Sequence, residues 1–292
     1  MAYNVELETR LKKIVSGWQN TDAKKMDKEK LKKLAENSQF ISSIYNYCDR
    51  WCERCPFTRR CMNFALSEEH ENSDPQARDM NNELFWRKLS QTLRATLDLV
   101  KEAAAEQGID FDSIDVEETA ADRRLTRELV ENHACSRAAK VYADRVEKWF
   151  DSAGGCWEPK GESASPEIDL ASPESDPIGV RADIGDAVEV VRWYQHLIWV
   201  KLMRAIQGEL REQPEIMEEF AKDSDGSAKV ALIAIDRSIS AWGVLRGSYP
   251  HMEKDSLDLI LHLERLRRMV EHHFPAAREF IRPGFDKIDL NS

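Results

Sequence analysis

The chain has 292 residues and a formal net charge of −11, long enough for one large domain or two modest ones with a sizeable core. Twelve Gly and ten Pro fall well below average usage, and 33% of residues are charged, which excludes turn-dense all-β sandwiches and collagen-like chains. The longest apolar run, Val230 to Ile235, is far short of the roughly 18 residues a membrane helix needs. No membrane association is therefore expected. The N-terminus passes directly into a charged amphipathic stretch without a signal-peptide core, which predicts a cytoplasmic protein.

The charge is unevenly spread. Residues 1 to 65 carry thirteen Lys/Arg against eight Asp/Glu, so a segment of +5 precedes a remainder of −16. Such a basic part can dock on a protein partner or on the acidic body of its own chain. Nucleic acid is the lesser reading, because no aromatic-plus-basic module accompanies the charge.

Helix-period patterning runs almost throughout, and the predicted fold class is all-α. It comprises a bundle of about five long helices and a smaller N-terminal helical cap carrying a cysteine cluster. The predicted organisation is a basic cap over 1–75, a first bundle part over 76–152, an acidic flexible linker over 153–183 and a second bundle part over 184–292. Residues 81 to 107 place Phe85, Leu89, Thr92, Leu93, Thr96 and Val100 on one stripe before Gly108 closes the helix. Residues 106 to 118 hold six acids and no Lys or Arg and read as a loop. A long helix over 119 to 151 is expected to face Leu125, Leu129, Val130, Ala134, Ala138, Val141 and Trp149 inward. The linker follows, Ser/Pro-rich with nine acids over 151 to 186, too polar to offset the entropy of ordering. Helices are then expected near 184 to 212, 227 to 247 and 254 to 274, the first so apolar that it should be central.

Four of the six cysteines lie within fourteen residues: Cys48, Cys52, Cys55 and Cys61, spaced C-x3-C-x2-C-x5-C. The first three stand at i, i+4 and i+7, which predicts one face of a helix beginning near Phe40, with Pro56 turning the chain so that Cys61 returns. A disulfide framework suits short secreted chains, and four core thiols beside six local charges would be unusual packing. Structural zinc sites commonly supply two separated C-x2-C pairs. Compact thiolate runs with a Pro after a ligand Cys are a ferredoxin habit. The expectation is therefore a [4Fe-4S] cluster on Cys48, Cys52, Cys55 and Cys61, used for electron transfer or for redox or iron sensing, with zinc in a non-catalytic interaction protein as the alternative.

Three short resemblances accompany the motifs. Cys52 to Cys61 resembles the C-x2-C-x5-C iron–sulfur clip of certain PD-(D/E)xK helicase-nucleases, but the strands bearing that family's nuclease residues are not found here. Cys48-x3-Cys52-x2-Cys55 is similar to the radical-SAM spacing, whose barrel the helical pattern does not supply. Arg267 and Arg268, each five residues before His272 and His273, resemble the Arg-x4-His of helical HEPN-type ribonucleases. A metal-dependent or HEPN-like nuclease is the third functional reading. The same residues also suit a helix C-terminus, where cations offset the dipole.

Glu-x-x-His, which a ferritin-like di-iron bundle needs, does not occur. Glu189, Arg192 and His196 form a polar stripe on the most apolar predicted helix. It is either a paired interior network or that helix's wet face, and the wet face is the preferred reading. Asp236, Ser240, Gly243 and Gly247 form a small polar stripe suited to close helix packing. Cys135 and Cys156 read as ordinary helix and loop residues. Whether the protein is an enzyme is left open by the sequence.

Overall fold

A computed structural model describes residues 28–71, 81–110, 116–152, 177–211 and 222–286. Among these residues there are eight α-helices and no strand, in agreement with the all-α class. No helix among them is long and apolar enough to cross a membrane. The expected linker lies for its larger part, 153–176, outside the described residues; 177–183 already belong to a helix. The chain divides into two units, residues 1–42 with 55–115, and residues 43–54 with 116–292.

The first unit contains α1 (Lys28–Ala35), α2 (Met62–Glu71) and α3 (Glu83–Glu106). Asn82 starts α3 by accepting from the Leu84 N–H at 2.9 Å, and Gly108 ends it with φ +73°, a left-handed position that suits a residue without Cβ. Leu31 and Ala95 are buried together, with Leu66 and Leu99 packed on them.

The second unit is a bundle of α4 (Val116–Asn132), α5 (Ala134–Ser152), α6 (Pro177–Arg211), α7 (Asp223–Ser248) and α8 (Glu253–His273). The longest interface is between α6 and α7. It is made possible by small buried residues on α7, among them Ser224, Ala228, Ala231 and Ala234. Onto this pair α6 brings Val191, Tyr194, Ile198 and Leu202, α5 brings Tyr142, Val146 and Trp149, and α8 brings Leu259, Leu263, Leu266 and Val270. These spacings of three and four place each set on one helical face. Each fully buried aliphatic side chain contributes about 1.5–3 kcal/mol. The buried Trp242 donates its indole N–H to Tyr142 Oη at 2.9 Å, so that two large polar-tipped rings satisfy each other inside the core. Beyond α8 the chain turns back onto α7, where Lys229 Nζ donates to the Phe280 carbonyl at 2.6 Å and pairs with Asp286 at 2.9 Å.

Several expectations are corrected. Residues 40–61 are not an α-helix but three short 3-10 turns, Ile44–Asn46, Cys52–Arg54 and Thr58–Arg60. Ser43 and Arg50 adopt φ near +60°, a left-handed conformation that no continuing helix allows. The helix expected over 119–151 is two helices, broken at His133. The His133 ring Nδ1 accepts the Cys135 N–H at 3.3 Å, doing the work of an N-cap for α5. Leu125, Leu129, Ala134 and Val141 of α4 and α5 are exposed instead of inward. Gly243 and Gly247 face open space, so they serve no close packing.

Candidate functional site

Residues 43–54 form a strap held on the bundle by contacts to residues far away in sequence. Ile44, 1% exposed, is buried at its start. Tyr47 donates to Asp223 at 2.8 Å, and Asp223 pairs with Arg204 at 3.0 Å. Arg204 and Lys201 both donate to the Asn46 carbonyl, at 3.3 and 3.2 Å. The Tyr47 ring lies against Phe280, with centroids 4.7 Å apart, and over Gly226 of α7. At this point the helix has no room for a side chain.

Asp49 is the second anchor. Its carboxylate accepts from Tyr194 Oη at 2.7 Å and from Arg237 at 2.8 Å, and Arg237 also donates to the Tyr194 hydroxyl. The same carboxylate accepts the Trp51 N–H at 3.2 Å, and the Asp49 carbonyl accepts from Trp193 Nε1 at 2.9 Å. Trp51 stacks on Trp193 with centroids 4.9 Å apart, and the Arg54 guanidinium lies 4.0 Å over the Trp51 ring. Arg54 then pairs with Asp186 at 2.5 Å and Glu189 at 2.6 Å. The strap is thus bound through an aromatic stack, a shared carboxylate and an ion pair, each on α6 or α7.

Burial dominates the electrostatics. It pushes the Tyr194 and Tyr47 hydroxyls up to about 12, assisted by Asp49 and Asp223 respectively. It pushes the buried Lys201 ammonium down to about 8; neighbouring Cys48 works against that shift, and Arg204 and Arg50 work with it.

Cys48, Cys52, Cys55 and Cys61 are all half-buried and free of disulfides. Cys48 and Cys52 lie on the strap, whereas Cys55 and Cys61 belong to the first unit. The Cys48 thiol lies 3.6 Å from the Tyr45 carbonyl, and the Cys55 sulfur accepts the Phe57 N–H at 3.4 Å. Among the described residues no three His, Cys, Asp or Glu side chains are grouped as a metal ion requires.

Glu189, Arg192 and His196 all lie on the exposed face of α6, and their contacts are separate. Glu189 is the Arg54 partner, Arg192 lies 4.7 Å over the Phe150 ring, and His196 meets the Gln195 amide at 3.0 Å. Of the Arg-x4-His residues, Arg267 pairs with Glu264 at 2.6 Å and Asp236 at 3.4 Å, and His273 with Glu209 at 2.7 Å. Burial, reinforced by Glu209, pushes the Cys135 thiol up to about 11, which makes it unreactive. Cys156 lies outside the described residues.

Sequence reasoning missed Asp49, Tyr194, Lys201, Arg204 and Arg237. The usable signal was on α6, where Tyr194, Lys201 and Arg204 recur at seven- and three-residue intervals on an otherwise apolar helix. Comparison of the chain with protein-family models, curated proteins and solved structures gives no match.

Proposed function

We propose that this helical protein binds a [4Fe-4S] cluster through Cys48, Cys52, Cys55 and Cys61 and uses it for electron transfer or for redox or iron sensing. The observation that carries the reading is four half-buried cysteines, none of them in a disulfide, in a single fourteen-residue run. Two further features support it. The strap gives Cys48 and Cys52 a braced backbone, and the Lys201 ammonium lies close enough to Cys48 to interact with it. Binding would be coupled to local folding and would require the thiols to lose their protons.

Anaerobic purification followed by metal analysis and visible spectroscopy tests this. The expected result is a brown protein with stoichiometric iron and sulfide and a broad visible shoulder, lost in Cys48→Ser, Cys52→Ser, Cys55→Ser and Cys61→Ser but kept in Cys135→Ser. A colourless protein holding one zinc would replace the cluster with the zinc-braced interaction protein. A protein that binds neither metal overturns both readings.

A further inference from the structure

Lys201 of α6 is 6% exposed, the only charged side chain among the buried ones of the described residues. Its ammonium has three N–H donors but one hydrogen-bond acceptor, the Asn46 carbonyl at 3.2 Å, and no ion pair with a carboxylate among the described residues. That acceptor does not depend on it, because the same carbonyl takes a second donor from Arg204 at 3.3 Å. Arg204 has its own counter-ion in Asp223 at 3.0 Å, and the Asp49 carboxylate is held by Tyr194 and Arg237. A buried ammonium without a carboxylate lowers stability. Groups kept in such settings concentrate at functional sites, where the charge has a use.

The group that the ammonium meets is Cys48. The carbonyl holding Lys201 belongs to Asn46, two residues before Cys48, and the Cys48 Sγ lies on the preceding carbonyl, that of Tyr45, at 3.6 Å. Of the groups near Lys201 that can carry negative charge, Cys48 acts on it most strongly, ahead of Asp49. We propose that Lys201 is the counter-charge of the metal centre at Cys48, offsetting the negative charge of the thiolate-bound cluster and thereby raising its reduction potential and slowing its loss. This inference rests on the cluster reading above.

Position gives this one cation its weight. A cluster held by thiolates is an anion, and reduction adds one more electron to it, so a fixed positive charge beside a ligand favours the reduced form. The two arginines beside Lys201 are placed differently: Arg204 is partly exposed and already paired, and Arg50 is exposed. Water and salt screen such charges, whereas a charge in the low-dielectric interior acts at greater strength. Lys201 also stands on a rigid support, since Ile198, Leu202 and Ala205 of the same helix are all 0% exposed.

The test compares the full chain with Lys201→Met, which replaces the ammonium by a flexible apolar group, Lys201→Gln, a second neutral variant, and Lys201→Arg, which keeps the charge. Lys140→Met, which removes an exposed cation of α5, serves as the control for net charge. Reduced, chelator-treated protein is first unfolded in urea. Lys201→Met should have a higher midpoint than the parent, because it removes a buried charge and leaves the Asn46 carbonyl its Arg204 donor. Protein reconstituted anaerobically with ferrous iron and sulfide is then titrated with dithionite. At a fixed potential the ratio of reduced to oxidised cluster in Lys201→Met and Lys201→Gln should be about tenfold lower than in the parent, a shift of about 59 mV for a one-electron couple. Both should lose their visible absorbance to a chelator faster. Lys201→Arg and Lys140→Met should follow the parent in potential and in chelator resistance. A lower urea midpoint for Lys201→Met would make Lys201 a structural tie of the strap and overturns the inference. So does a cluster whose potential and chelator resistance are unchanged in both neutral variants. A parent that takes up no cluster overturns instead the reading on which the inference rests.

Discussion

Replacing Gly226 by Ala sets two physical effects against each other with opposite signs. In an unconstrained helix interior Ala is better than Gly by about 1 kcal/mol. At this site, however, a Cβ would stand 2.4 and 2.6 Å from Cε1 and Cδ1 of Tyr47 and 2.7 Å from Cζ of Phe280. Carbon atoms settle at roughly 3.5–4.0 Å, so both rings must retreat by about an ångström. Overpacking of this kind costs about 1–3 kcal/mol. Displacing the Tyr47 ring also pulls its hydroxyl from Asp223, now at 2.8 Å, for about 0.5–1.5 kcal/mol more. The net expectation is a loss of about 1–3 kcal/mol, the clash outweighing the helix gain. Urea denaturation measures the loss. Limited trypsin digestion should show faster cleavage after Arg50 and Arg54, because the strap is released with the ring. A variant that is more stable than the parent, with unchanged cleavage, would show that Tyr47 does not seat on α7 and would refute the account of the strap.

Tyr142→Phe removes the acceptor of Trp242 Nε1, 2.9 Å away in a fully buried setting, and should cost about 1–3 kcal/mol by urea denaturation with no change in helical content. His133 has its pKa lowered, first by burial and then by His273, with Glu209 opposing, so the unfolded chain binds that proton more readily. Its contribution to stability should be complete above about pH 6.5 and be lost as the pH falls through the lowered folded value; protonation would also occupy the Nδ1 that caps α5. His133→Asn keeps a capping side chain, and its stability should fall less than the parent's between pH 7.5 and 5. An identical pH dependence in the two proteins would remove His133 from the account. On α6, Glu189→Ala and His196→Leu should each stay within about 0.5 kcal/mol of the parent, because Glu189 is 65% exposed in its ion pair and His196 faces solvent. A loss near 3 kcal/mol for Glu189→Ala would instead establish a buried charge network.

The helical class was legible because the core positions of α5, α6 and α8 repeat at three and four residues, and Leu259, Leu263, Leu266 and Val270 fall where the period puts them. Periodicity says which residues share a face, not whether that face is covered. It therefore placed Leu125 and Leu129 inward although both are exposed. The strap was misread for a related reason. Cys48, Cys52 and Cys55 have helical spacing, but their backbone is set by left-handed residues at Ser43 and Arg50 and by partners 135 to 188 residues away. Small residues were equally ambiguous. Gly243 and Gly247 appeared suited to close approach, yet Gly226 is the one that meets two rings, a fact fixed by tertiary packing alone.

The contacts that hold the strap are unequal in strength, and their burial ranks them. Arg54, Asp186 and Glu189 are substantially exposed, as is Arg237 beside Asp49, so each pair contributes at most about 1 kcal/mol. Ile44 is 1% exposed and Trp51 8%; burying side chains of this size contributes about 1.5–3 kcal/mol or more each. Trp51, a member of the bundle core, therefore supplies more of the attachment than any single ion pair, while Asp49 and Arg54 supply direction, fixing which face of the segment meets α6. Cys48 and Cys52 lie on either side of that fixed point, Cys48 between Ile44 and Trp51 and Cys52 directly after the Trp51–Trp193 stack. The backbone carrying these two thiols is thereby held by hydrophobic burial, which salt does not screen, and not by the ion pairs that salt would weaken.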